Sequence, residues 1–153
     1  MNKKDLVIMS CLRNNSRATL TEISRKTGVP ISTIYEKIKR TGPGVITRNT
    51  CLVDFAKLGF HARAKIVMQA GIEQKKPLLE FLIRHSNVNS VYKINNGFDY
   101  LAECVFRNIK ELEEFIEGVQ AKFRVKKYET YFVIEDLKRE AFMSDPQVLD
   151  LIA

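Results

Sequence analysis

Residues 17–40, Arg17-Ala18-Thr19-Leu20-Thr21-Glu22-Ile23-Ser24-Arg25-Lys26-Thr27-Gly28-Val29-Pro30-Ile31-Ser32-Thr33-Ile34-Tyr35-Glu36-Lys37-Ile38-Lys39-Arg40, read as two helices around a tight turn. Thr19 with Glu22 three residues on is a capping box: the hydroxyl takes the amide of the third helical residue and the carboxylate reaches back. The helix that follows carries Leu20, Ile23 and Ser24 inward. It finishes at Thr27-Gly28, where a tight turn needs the positive φ that glycine adopts without strain. Val29 plugs the turn. Pro30 marks the entry of another helix running to about Arg40, with Ile34 and Ile38 on one face at i,i+4. The pattern is that of a helix-turn-helix.

With Ile34 and Ile38 toward a core, Ser32, Thr33, Glu36, Lys37 and Arg40 face away. A helix lying in a major groove sets its N-terminal residues against base edges and its cations against phosphates. Ser32 and Glu36 are therefore base-edge candidates, Glu36 as an acceptor from cytosine N4. Thr33, Lys37 and Arg40 are phosphate candidates, as is Arg17 just before the capped helix. The same residues also suit a solvated face on which Glu36 and Arg40 form an i,i+4 pair. Charge distribution favours the first reading. Residues 1–50 carry ten Lys+Arg against three Asp+Glu, and residues 51–153 carry fifteen of each, so the whole formal net charge of +7 sits in the first third. A basic module joined to a neutral one points to a polyanionic partner, here double-stranded DNA.

On the N-terminal side, Leu6, Val7, Met9, Cys11 and Leu12 recur at near-helical spacing up to Asn14-Asn15, a natural helix end. On the C-terminal side, Gly42-Pro43-Gly44 ends the third helix, and the β-branched run from Val45 to Val53 predicts a strand leaving the module. Arg48 on that strand is either a wing contact to the DNA backbone or a surface arginine. Asp54 to Gly59 form a joint.

The neutral half reads as strand, helix, strand, strand, helix, strand. Ala62 to Ala70 alternate apolar residues with Arg63, Lys65 and Gln69. Pro77 suits a first helical turn, and Leu78, Leu79, Phe81, Leu82 and Ile83 continue that helix to about His85. Val88, Val91, Tyr92 and Ile94 form the next strand, Asn95-Asn96-Gly97 a hairpin turn, and Phe98 to Phe106 the return strand. Asn108 with Glu111 caps a helix whose stripe is Ile109, Leu112, Phe115, Ile116 and Val119. Val125 to Glu135 close with a strand. This order is the split βαβ, or ferredoxin-like, plan. Its helix-free face would carry tyrosines and other apolar residues, which favours a partner sheet. Residues 138–153 form a mixed tail that either packs on a partner or frays.

The fold class expected is thus α+β: a winged helix-turn-helix domain of three helices over 1–48, a linker strand and joint over 49–60, a ferredoxin-like βαββαβ domain over 61–137 and a tail over 138–153. Two units this small gain from the extra buried area of an oligomer. No apolar run approaches the ~20 residues of a membrane span, and Met1 to Asp5 lack a signal-peptide core, so no membrane is expected and the protein is placed in the cytoplasm. Cys11, Cys51 and Cys104 share no metal-ligand spacing and His61 and His85 stand alone, so no metal and no cofactor are expected.

A basic helix-turn-helix, a short linker strand and a ferredoxin-like domain together resemble the leucine-responsive regulatory protein/asparagine-synthesis regulator (Lrp/AsnC) family. The likeness spans about residues 4–137. It rests on Arg17, Glu22-Ile23-Ser24-Arg25-Lys26 and Gly28, on Leu52-Val53-Asp54 with Leu58-Gly59, and on Gly97-Phe98-Asp99-Tyr100-Leu101. The resemblance implies a transcriptional regulator that forms homodimers through its C-terminal sheets and assembles these into octamers. It also implies a small effector such as an amino acid, bound between C-terminal domains near the hairpin and the last strand. Carried onto this chain, the effector candidates are Asn95, Asn96, Gly97 and Asp99, with Tyr131, Phe132 and Val133 opposite. The family's Gly-acid-aromatic-Asp stretch is here Asn96-Gly97-Phe98-Asp99, so its first carboxylate is missing. The turn after the third helix is also a residue shorter than usual.

An enzyme or metabolite-sensing module on the same architecture is the alternative. The related siroheme decarboxylases use His and Arg near the second strand, in a His-Asn-Tyr context. Here that stretch is Val91-Tyr92-Lys93-Ile94-Asn95, with neither, and no carboxylate pair, Cys-His pair or Gly-rich phosphate loop stands elsewhere. No enzymatic activity is expected.

Overall fold

The computed structural model describes residues 2–151, of which 150 and 151 are described in backbone only. The chain folds as two compact units. One is formed by residues up to Leu52 together with those from Leu137 onward, the other by Val53–Asp136.

The first unit holds α1 (Lys3–Asn14), α2 (Leu20–Thr27) and α3 (Ile31–Val45). Asn2 and Asp5 form a reciprocal capping box at the start of α1. Thr19 and Glu22 form a second one at α2, with the Glu22 backbone N–H on Thr19 Oγ1 at 3.2 Å and the Thr19 N–H on the Glu22 carboxylate at 2.7 Å. Gly28 closes α2 at φ 69°, and its N–H reaches the Ser24 carbonyl at 2.8 Å. Ile8, Ile23 and Ile34, one from each helix, are fully buried and form the centre of the core, joined by Met9, Cys11 and Val29.

Two differences from the sequence reading concern this unit. In α1 the buried run is Ile8-Met9-Ser10-Cys11, whereas Leu6 and Val7 are only half-buried. Four consecutive buried residues require cover on both sides of a helix. That cover comes from α2 and α3 on one side and the 3-10 turn Pro146–Leu151 on the other. The tail is thus seated on α1 of its own chain. Second, α3 extends to Val45 through a break at Pro43 and Gly44, and residues 46–52 lie outside the sheet. The β-branched run sets an extended backbone, but a strand exists only where a neighbour receives its hydrogen bonds.

The second unit contains β1 (Ala62–Gln69), α4 (Ile72–Arg84), β2 (Val88–Lys93), β3 (Tyr100–Phe106), α5 (Ile109–Phe123) and β4 (Lys127–Phe132). The sheet order is β2-β3-β1-β4, all antiparallel, as the ferredoxin-like plan requires. Both helices cover one face. Leu78 and Leu82 of α4 and Leu112, Ile116 and Val119 of α5 pack on Ala64, Ile66, Ala102 and Cys104 of the central strands. In-register partners share a face, so the open face holds Arg63, Lys65 and Val67 from β1 with Leu101, Glu103 and Val105 from β3. Tyr92 and Tyr131, more than half exposed, lie at its two margins.

Helix α4 begins five residues before Pro77, not at it. Gly71 caps it, accepting from the backbone N–H groups of Gln74 and Lys75 at 2.9 and 3.1 Å. Pro77 therefore sits in the second turn, where it withholds a hydrogen bond from the Glu73 carbonyl. Both residues are exposed, so water can serve that carbonyl. Two strands are shorter than the alternating pattern suggests: β3 starts at Tyr100 and β4 runs from Lys127 to Phe132.

Candidate nucleic-acid interface and hairpin site

Pro30 enters α3 with extended backbone, and the buried Ile34 sets the rotation of the helix about its axis. Ser32, Glu36 and Arg40 are consequently exposed in one row at four-residue spacing. Together with Thr33 and Lys37 they line a shallow surface depression. Arg17 is exposed just ahead of α2, its backbone N–H on Asn15 Oδ1 at 3.0 Å. Two large apolar side chains on α3, Ile31 and Tyr35, are also about half exposed, and the inward pattern of Ile34 and Ile38 had left them unassigned.

Lys37 differs from its neighbours. Its ammonium donates to Asp5 Oδ1, and to Asn2 Oδ1 at 3.4 Å, across from α3 to the first turn of α1. The side chains are only 12 and 6 % exposed. The hydrogen bond from Lys37, aided by the Asn2 N–H, holds the Asp5 carboxyl below the usual carboxylate range. Sequence reasoning treated Lys37 as a phosphate cation. The signal for the pairing was an acid in the first turn of α1, which also suits a capping box.

In the second unit, Asn95, Asn96 and Gly97 are exposed in the β2–β3 connection. Asn96 and Gly97 both adopt positive φ, 62° and 85°, as a hairpin turn requires. The Ile94 N–H closes the loop on the Asp99 carbonyl at 3.0 Å. The Asp99 carboxylate faces inward, accepting from the Ala70 N–H at 3.0 Å and from Lys75 Nζ at 2.5 Å. Burial pushes its pKa up, but the Lys75 and Ala70 hydrogen bonds outweigh this and hold it low. Asp99 thus ties the hairpin to the start of α4.

Tyr131, Phe132 and Val133 do not converge with the hairpin within one chain. Tyr131 and Phe132 pair with Lys65 and Ala64, and the Val133 N–H bonds Arg63 O at 2.8 Å, whereas the hairpin abuts Met68 through the Asp99 N–H. Four residues of β1 separate the two levels, about 13 Å along a strand. The β4 residue beside the hairpin is Lys127, whose ammonium lies 4.5 Å from the Phe98 ring centre. On the open face, Arg63 Nε lies 3.1 Å from Glu103 Oε1, while its Nη1 donates to Asp136 Oδ2 at 2.7 Å. Tyr131 donates its hydroxyl to Glu129.

Among the described residues no group of three or more His, Cys, Asp or Glu is placed to hold a metal ion. Burial pushes the Cys104 thiol up to about 12, so it stays protonated at neutral pH. No described helix is long and apolar enough to cross a membrane.

A helix-turn-helix unit carrying most of the net charge, joined to a four-stranded ferredoxin-like unit, defines a two-domain DNA-binding regulator. Family models agree with both parts. Residues 1–40 match the winged helix-turn-helix DNA-binding model, and residues 67–142 match the Lrp/AsnC ligand-binding domain. The chain belongs to the Lrp/AsnC family of transcriptional regulators. An uncharacterized HTH-type transcriptional regulator of Pyrococcus furiosus is 29 % identical over 143 residues, covering 93 % of this chain and 96 % of its own. The HTH-type transcriptional regulator FL11 of Pyrococcus horikoshii is 27 % identical over 139 residues, covering 90 and 92 %. Solved structures share the fold. An AsnC family regulator from Agrobacterium tumefaciens superposes with a TM-score of 0.80 at 22 % identity, covering 91 % of this chain and 94 % of its own. The regulator NMB0573 of Neisseria meningitidis, solved as a complex with L-Met, gives 0.83 at 18 % identity, covering 91 and 93 %.

Proposed function

We propose that this regulator reads duplex DNA sequence-specifically with α3, acting as a homodimer or a larger assembly such as an octamer. The observation that carries the reading is the exposed row Ser32, Glu36 and Arg40 opposite the fully buried Ile34, in the unit that holds most of the net charge. Ser32 and Glu36 meet base edges, and Thr33, Arg40 and Arg17 meet phosphates. The labour divides between residues 1–48 for DNA and 61–137 for assembly and effector, with 49–60 as the joint.

Assembly uses the open face of the sheet, where the buried Val67 and Val105 and the half-buried Leu101 are flanked by the exposed Tyr92 and Tyr131. A twofold pair presents two reading helices to one side of the duplex. It predicts a near-palindromic operator with half-sites about one helical turn apart. Selection of bound sequences from a random duplex library with the full chain tests this. A direct repeat, or no enrichment, would contradict the paired-helix reading.

An amino acid or similar small effector is the proposed ligand of the C-terminal domain, in keeping with the ligand-binding family model. Because the hairpin and Tyr131 to Val133 lie at different levels of one sheet, a site using both draws them from different subunits. Sedimentation and DNA retardation with and without a panel of amino acids test this. A panel that alters neither assembly nor affinity removes Asn95, Asn96, Gly97 and Asp99 from consideration as effector ligands.

A further inference from the structure

Resting on the reading that α3 meets DNA, we infer that Asp5 is a positioning residue for the reading helix: it withholds Lys37 from the phosphates and uses it to fasten α3 to the first turn of α1. Both carboxylate oxygens of Asp5 and the side-chain oxygen of Asn2 are engaged at this junction. The Asp5 carboxylate takes the Asn2 N–H on one oxygen at 3.0 Å and the Lys37 ammonium on the other. Asn2 Oδ1 accepts both the Asp5 N–H and Lys37 Nζ. The capping box of α1 and the counter-ion of Lys37 are therefore one cluster.

Burial gives the cluster its consequence. An exposed lysine exchanges a surface carboxylate for a DNA phosphate at little cost, because water screens both pairings. Here Asp5 is 4 % exposed, so removing its cation leaves a charge in a poorly solvated place. Lys37 accordingly stays with Asp5 when DNA arrives, and the phosphate cations of this face are Arg40 and Arg17, both exposed. Lys37 instead fixes the middle of α3, at the level of Glu36, against α1. Asp5 also lies within the field of Arg40, about one turn further along α3.

The test is the salt dependence of binding by the full chain to random-sequence duplex DNA, where each phosphate neutralised contributes ~0.9 to the slope of log K against log salt. Lys37→Met is expected to leave the slope as in the unsubstituted protein, whereas Arg40→Ala lowers it by ~0.9. Asp5→Asn is expected to steepen it by ~0.9, because Lys37 is released, and that rise vanishes in Asp5→Asn/Lys37→Met. A Lys37→Met slope reduced as far as that of Arg40→Ala would overturn the inference, as would a rise that persists in the double variant. An unchanged Arg40→Ala slope would instead count against the reading of α3.

Amine labelling followed by mass spectrometry keeps the question open to decision in the unsubstituted protein. Lys37 is expected to label slowly without DNA and no more slowly with it, while the exposed Lys39 labels fast in the free protein. Fast labelling of Lys37 that DNA suppresses would overturn the inference without any substitution.

Discussion

Arg13 in α1 donates from Nη2 to Glu140 at 2.9 Å, joining residues 127 positions apart in the chain. Its Nε donates to the Phe142 carbonyl, and Leu149 beyond it is 2 % exposed. The tail is thus part of the DNA-binding unit although it follows the ferredoxin-like unit in sequence. The energetic weight lies on the apolar contact. Leu149→Ala is expected to destabilise the unit by about 2–4 kcal/mol, as buried leucine truncations do. Arg13→Ala, whose ion pair is exposed, should cost under about 1 kcal/mol. Thermal unfolding of the two variants decides; equal losses would mean that the clasp and not the core holds the tail.

The α2 cap and turn predict a second pair of effects. Thr19→Ala removes the acceptor of the Glu22 N–H and is expected to cost about 1 kcal/mol. Gly28→Ala meets no atom within 4 Å, so its cost comes only from φ 69°. That cost should be about 1–2 kcal/mol. Denaturant midpoints of both variants check this, and a neutral Gly28→Ala would show the turn relaxing to negative φ.

Glu36 is exposed at the middle of the reading row and carries the sharpest specificity prediction. If it accepts from a cytosine amino group, Glu36→Ala should cost about 1–3 kcal/mol on the selected operator and relax the preference at one base pair per half-site. Repeating the selection with the variant reads this directly. A uniform gain on all sequences would mean that Glu36 only repels phosphate.

Asp99 is expected to matter to the fold whether or not an effector binds. Asp99→Ala leaves the Ala70 N–H and Lys75 without their acceptor and should cost about 1–3 kcal/mol. Asp99→Asn keeps an oxygen for the Ala70 N–H and should cost less. Unfolding of the effector-free protein tests both. Unchanged stability in Asp99→Ala would return the carboxylate to the ligand.

His85 gives the second unit a pH dependence. It lies 5.3, 6.4 and 4.7 Å from the rings of Phe81, Phe106 and Phe115, and its Nδ1 accepts the Asn87 N–H at 3.2 Å. Burial holds its pKa below the ordinary value. As pH falls through about 6.5, the unfolded chain takes up the proton first, so stability declines until the folded imidazole also titrates. His85→Gln should remove that part of the slope, measured as unfolding midpoints between pH 7.5 and 5. A slope unchanged by the substitution would place its origin elsewhere.

The elements legible in sequence were those with a local cause. The Thr19–Glu22 cap, the Gly28 turn, the Asn96-Gly97 hairpin and the Asn108 cap each need only neighbours within four residues, and all are present. The alternation in β1 and the α5 stripe from Leu112 to Val119 likewise foretold the buried faces, whereas Ile109, in the first turn of α5, is 60 % exposed. What could not be read depends on distant partners. The β-branched run after Val45 has no ladder in this chain, Pro77 gave no sign that Gly71 starts its helix, and the level of Tyr131 relative to the hairpin follows from strand register.

The sequence by itself determined the two-module order, the charge on the first module and the row Ser32, Glu36 and Arg40, because helical periodicity and charge are properties of consecutive residues. Only the tertiary structure decided that Lys37 belongs to Asp5, that Asp99 belongs to Lys75 and Ala70, and that the tail covers α1. A cation's partner is set by which carboxylate folding brings beside it and by how little water remains there. Neither quantity is written along the chain.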